Sequence, residues 1–144
     1  AAVFRAHTAA TRTGEMTPIR LLPGNDLRAA LDSLRAEQDW PGAFVLSGIG
    51  SLTIARLRLA GRTEPTEWVG DLELLTLAGT LTLDGSHLHA SISDAEGQVL
   101  GGHVLPGCLI RTTAEILIAP LATPLHRRTD PNTGYLELVT NDAL

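Results

Sequence analysis

The sequence predicts a single α+β domain made mainly of antiparallel β-sheet. Only one segment repeats apolar residues at helical spacing, at Leu27, Ala30, Leu31 and Leu34. From Ala43 onward the period shortens toward two, in runs of Leu, Ile, Val and Thr parted by Gly, Pro and Asp. A length of 144 residues suits one domain with a real core. Neither an internal repeat nor a linker composition divides it.

Residues 19–22 read as a short strand ended by the turn Pro23-Gly24-Asn25. Asn25 or Asp26 can then accept from the free amides of a helix start, and that helix ends before Trp40-Pro41-Gly42. Residues 43–46 and 52–59 read as two strands separated by Ser47-Gly-Ile-Gly-Ser51, the second alternating Arg56 and Arg58 with Leu57 and Leu59. Residues 72–83 give two further apolar runs around Gly79, where a bend, a bulge or a close backbone approach is expected. Strands follow at 86–93, 98–105 and 114–119. After Pro120 the pattern turns irregular and closes on residues 135–138. Residues 1–17 read as an N-terminal arm and 18–144 as the domain. The first fifteen residues lack the apolar core of a secretory signal. Their Arg content and scarcity of acids resemble an organelle transit peptide, with an extended arm as the simpler reading.

Composition narrows the function classes. Aromatic residues are 3% of the chain, so the core is aliphatic. The net charge is -5 and all eleven basic residues are Arg. An acidic chain with few aromatics offers neither a basic footprint nor a stacking platform, which argues against autonomous nucleic-acid binding. No apolar run is long enough to span a bilayer as a helix. The lone Cys108 excludes an internal disulfide and suits a reducing, cytoplasmic setting. It reads as a small buried hydrophobe, because nothing beside it in sequence activates a thiol.

Three of the five histidines, His87, His89 and His103, fall within seventeen residues. On a strand, His87 and His89 project from one face. If Ala95-Glu96-Gly97 is a three-residue hairpin loop with Gly97 left-handed, Asp94 pairs with Gln98 and His89 with His103. His103 then joins that face. A two- or four-residue loop sends it to the other face unless a bulge at Gly101-Gly102 restores it. Three imidazoles suit zinc or another divalent transition metal with one position left for water or a small ligand. Polar strand residues, or histidines bonded at a subunit contact, are the plainer alternative. Glu73 is a candidate second-shell group or base. Arg111, with Arg127 and Arg128, is a candidate anion contact or a set of salt bridges. His87-x-His89 with Asp94 and Gly101 also resembles the first half of the cupin signature. It departs in its acid, in the placing of Gly79 and in lacking the second half.

Taken in order, Leu22-Pro-Gly-Asn-Asp-Leu27, Ser47-Gly-Ile-Gly-Ser51, Gly70-Asp-Leu-Glu-Leu74, Leu77-Ala-Gly-Thr-Leu81, Asp84-Gly-Ser-His-Leu-His89, Gly101-Gly-His-Val104 and Thr112-Thr-Ala-Glu-Ile116 resemble the plants-and-prokaryotes-conserved domain. This family is known as the companion of AT-hook motifs in plant nuclear proteins. The resemblance implies a compact α+β domain that assembles as a homotrimer, usually standing alone in bacteria and archaea with an unsettled biochemical role. The chain has no Arg-Gly-Arg-Pro AT-hook. The histidine trio matches the bacterial pattern, where a metal is expected; plant members carry Gly-Gly-Ser-Val instead. Gly70-Asp-Leu-Glu-Leu74 is similar to the plant Gly-Arg-Phe-Glu-Ile patch that contacts other proteins, with Asp71 in place of the Arg. Three readings therefore stand: a metal or small-ligand domain, a trimeric protein-interaction module acting through residues 70–74 with Asp71 and Glu73 as contacts, and a metal-dependent enzyme on a small substrate.

Overall fold

The computed structural model describes residues 12–140, so most of the expected N-terminal arm, residues 1–11, lies outside the described residues. Of the remainder of that arm, Gly14 donates its N–H to the Pro120 carbonyl, and Thr17 opens the first strand. The elements run β1 (Thr17–Leu21), α1 (Leu27–Glu37), β2 (Gly42–Arg58), β3 (Thr66–Thr82), β4 (Gly85–Ser93), β5 (Val99–Val104), β6 (Leu109–Leu121), β7 (Leu125–Thr129) and β8 (Leu136–Thr140).

The helix starts where capping chemistry places it. Asp26 is extended, and its Oδ1 accepts from the Ala29 N–H at 3.0 Å. Its other oxygen accepts from the Gly107 N–H at 2.6 Å, tying the helix start to the loop before β6. Leu27, Leu31 and Leu34 are fully buried, each worth about 1.5–3 kcal/mol of apolar burial. The helix stops at Gln38, and Asp39 takes a left-handed backbone at φ 54°. Buried Trp40 then carries the chain into β2.

Six strands form one antiparallel sheet in the order β1-β6-β2-β3-β4-β5. The far edge returns to the middle: Leu57 and Arg58 of β2 pair with Val104 and His103 of β5. Strands β2, β3, β4 and β5 thus close a ring, with β6 and β1 continuing outward from β2. Residues from α1 and from β1 to β6 fill one aliphatic core.

The sequence differs from the structure in two places. The expected pairs of short strands at 43–59 and 72–83 are single strands of 17 residues each. Register shifts between Val45 and Ser47, and between Gly50 and Leu52, bend β2 against β6 without breaking its pairing. The tail after Pro120 is also not irregular: β7 and β8 pair as a separate two-stranded sheet. Its signal was weak because Leu125-His-Arg-Arg-Thr129 buries only Leu125 and shows no alternation of apolar residues. Anchoring comes instead from hydrogen bonds of Leu125 to Leu83 and Pro41, and from Asp84, whose carboxylate accepts from the Arg127 N–H and bonds His126 Nδ1. Those two bonds, the backbone one first, hold the Asp84 carboxyl below its ordinary pKa. No described helix is long and apolar enough to cross a membrane.

Candidate metal centre

Strand alternation fixes the direction of the first two histidines. Ser86, Leu88, Ala90 and Ile92 of β4 are buried, so His87 and His89 stand on the opposite face. The third arrives through the hairpin. Gly97 sits at φ +80°, its N–H donates to the Asp94 carbonyl, and the Asp94 N–H donates to the Gln98 carbonyl. The Asp94 carboxylate braces the turn by accepting from the Glu96 and Gln98 N–H groups at 3.0 and 2.9 Å. The three-residue loop gives the expected register, and His89 lies opposite His103 with no bulge between.

One further position controls the approach of β4. Gly79, opposite Leu88, has φ +153°, and a Cβ there would land on the His87 carbonyl oxygen. Of the three alternatives expected around Gly79, the close backbone approach is what the structure has.

Ligand atoms of His87, His89 and His103 all lie within 4.8 Å of one another. His87 Nε2 and His89 Nε2 are 3.1 Å apart. Two nitrogens bound to a tetrahedral ion at 2.0–2.1 Å lie about 3.3 Å apart, so this spacing suits a shared ion. An N–H···N hydrogen bond between neutral rings accounts for the same distance. Burial, followed by the charges of His87 and Arg58, brings the His103 pKa down to about 4. Burial and then Arg127 lower that of His87. Both rings are therefore neutral near pH 7, the form that ligates metal.

The histidines line one side of a 660 Å³ cleft whose other walls come from distant parts of the chain. Arg28 comes from α1, Arg58 from the end of β2, Arg127 from β7, and Tyr135 and Glu137 from the last hairpin. Arg28 donates to the Val104 carbonyl at 3.1 Å and lies 3.9 Å from Asp32. Arg127 donates to the Leu136 carbonyl at 2.6 Å and to that of Ser86 at 3.5 Å. Sequence reading named Arg127 only beside Arg128, and missed Arg28, Arg58, Tyr135 and Glu137. Their convergence depends on ring closure and on the β7–β8 hairpin, which leave no local signature.

The other candidates lie elsewhere. Glu73 pairs with Ser93, four residues along β4 from His89, which is about 13 Å at strand rise. It is not brought to the histidines. It lines a separate cleft with Arg111, Ser51 and Thr112. Asp71 forms an ion pair with Arg111 at 3.3 Å, so the Arg111 guanidinium already has a carboxylate. Cys108 is buried, with its thiol donating to the Arg56 carbonyl and accepting from the Arg56 N–H, and burial pushes its pKa up. It is the inert residue expected.

With the site described, comparison with known proteins becomes informative. The family model described as the Plants and Prokaryotes Conserved (PCC) domain matches residues 8–122. The chain belongs to the PCC family. It is 48% identical over 139 residues to a protein named Bifunctional protein GlmU from Synechococcus sp. (strain JA-3-3Ab), covering 96% of this chain and 22% of that one. The PCC chain thus spans about a fifth of the length of the curated relatives it matches. A hypothetical protein from Salmonella cholerae-suis shares the fold with a TM-score of 0.85 and 38% identity, over 96% of this chain and 100% of that one. A metal-containing protein from Archaeoglobus fulgidus has a TM-score of 0.77 and 23% identity, over 89% and 95% of the two chains. At that identity the likeness concerns fold alone.

Proposed function

We propose that this PCC domain is a cytoplasmic homotrimer in which His87, His89 and His103 hold zinc or another divalent transition metal, with one coordination position open to a small ligand. The observation that carries the reading is the meeting of three imidazoles from two strands, with every ligand atom within 4.8 Å of the others. The donor set fits: an all-nitrogen trio suits zinc and its first-row neighbours, and the hairpin register fixes two of the three donors against each other. The metal-containing name of the Archaeoglobus fulgidus relative agrees with it. A bound divalent ion supplies Lewis acidity at its open position. This chain's residues supply imidazole donors and a walled cleft.

The trimer is supported by apolar surface that a monomer leaves in water. Phe44, Leu46 and Ile49 on β2 and Leu75 on β3 are all exposed. Phe44 is in register with Thr80, and Thr80 with His87, so this apolar surface continues into the histidine face.

Metal analysis of untagged protein equilibrated with zinc tests the reading, with sedimentation run alongside. One zinc per chain is expected, lost in the triple His87→Ala, His89→Ala, His103→Ala variant, together with a trimer mass. Equal zinc content in the wild-type and triple-variant proteins overturns the metal site, and a monomeric mass overturns the assembly.

A further inference from the structure

We propose that the histidine cleft takes a small oxyanion, a carboxylate or phosphate on a compact molecule, gripped by Arg58 with Arg28 and Arg127. The inference rests on the metal reading, in that the anion would lie beside the ion held by the histidines.

The case begins with a local inversion of charge. The chain carries a net charge of -5, yet the cleft is lined by three guanidiniums against one carboxylate, Glu137. Three arginines from α1, β2 and β7 converge on one cavity, and converging like charges raise the energy of the empty site. A structural account covers only part of this. Arg127 holds the last hairpin by donating to Leu136, and Arg28 lies at the long distance of 3.9 Å from Asp32. Arg58 makes no ion pair among the described residues. Arg127 also donates to Ser86 and Arg28 to Val104, so Arg58 is the guanidinium of the three with the most bonding capacity left. A partly desolvated guanidinium without an ion pair is costly, and a planar oxyanion satisfies its fork with paired, charge-assisted hydrogen bonds.

The shape of the cleft limits the ligand's size. A cavity of 660 Å³ admits a small molecule, with Tyr135 exposed among the lining residues. Glu137, whose Oε1 accepts from Thr133 and whose charge acts on Arg127, opposes large polyanions. Arg58 is paired through the backbone with His103, so its position relative to the histidines is set by the sheet. An anion held by Arg58 would therefore lie on the side of the cleft that His103 lines.

Calorimetric titration of the full chain, zinc-loaded and zinc-free, with inorganic phosphate and separately with succinate tests the proposal. At least one probe is expected to bind the zinc-loaded protein. Arg58→Gln should weaken it about tenfold or more, the scale of one lost charge-assisted bond, with zinc content unchanged. Arg28→Gln serves as a second variant should Arg58→Gln fail to fold, and Arg128→Gln, which lies outside the cleft, should bind as wild type. Phosphate alone binding identifies a phosphoryl ligand, and succinate alone a carboxylate. The proposal is overturned if neither probe binds at millimolar concentration, if Arg58→Gln binds as tightly as wild type, or if Arg128→Gln weakens binding equally. If zinc fails to load but the probes bind and Arg58→Gln loses them, the anion site stands and the metal reading falls.

Discussion

Replacing Gly79 with alanine strikes strand β3 directly behind His87, where backbone packs on backbone. The added Cβ would fall on the carbonyl oxygen of His87 and within 2.9 Å of the Leu88 Cα, both backbone atoms that no rotamer change can move aside. A φ of +153° adds a backbone penalty of about 1–3 kcal/mol for any residue with a side chain. Parting the strands to relieve the clash weakens one or two ladder hydrogen bonds, at about 1 kcal/mol each. The sum is about 2–5 kcal/mol, a large share of the roughly 5–15 kcal/mol that holds a typical domain together. Gly97→Ala is the internal control: φ is +80° there, but nothing lies within 4 Å of the new Cβ, so only about 1–2 kcal/mol is expected. Urea unfolding of wild type and both variants measures the difference. Zinc competition against a chromophoric chelator should show weaker binding in Gly79→Ala, because His87 is carried on the displaced backbone. Should Gly79→Ala lose no more stability than Gly97→Ala, the reasoning from close strand approach is wrong.

Three other outcomes follow from the structure. In metal-free protein, NMR titration of His103 should give a midpoint near 4, against 6.5 for an unperturbed histidine. Because the folded-state value is the lower, this contribution to stability is complete above pH 6.5 and lost as the pH falls toward 4. Cys108 should react with a thiol reagent only after unfolding, and prompt reaction in the native protein would contradict its burial. Asp26→Ala should cost about 1–2 kcal/mol or more in chemical denaturation, since it removes both the helix cap and the bond to Gly107. A loss under 0.5 kcal/mol, roughly the effect of an ordinary surface change, would refute that role.

What the sequence made legible was local. The helix, its Asp26 cap and the histidine hairpin rest on neighbours a few residues apart, where spacing and turn chemistry decide the outcome. The pairing of His89 with His103 followed from the length of one loop and the left-handed Gly97. What escaped was set at a distance. Ser47-Gly-Ile-Gly-Ser51 looked like a loop because glycines commonly end strands. Here β2 runs through it, held by β3 and β6 on either side. Glu73 had the chemistry of a second-shell group or base, but its distance from the histidines is set by strand register, and it lies apart from them along the sheet. Arg28 and Arg58 carry no motif, and only the closure of β5 onto β2 shows that they share a cleft with the histidines.

That closure has a consequence of its own. Only two residue pairs join β5 to β2, and one of them is Arg58 with His103. Such a short junction is the natural place for the ring to unzip, and when it opens, one donor and one arginine leave the cleft together. An ion spanning His103 and the β4 histidines would work as a clasp across this seam. Occupancy would then be felt as slower amide exchange at Leu57, Arg58, His103 and Val104, coupling the fastening of the fold to the filling of its site.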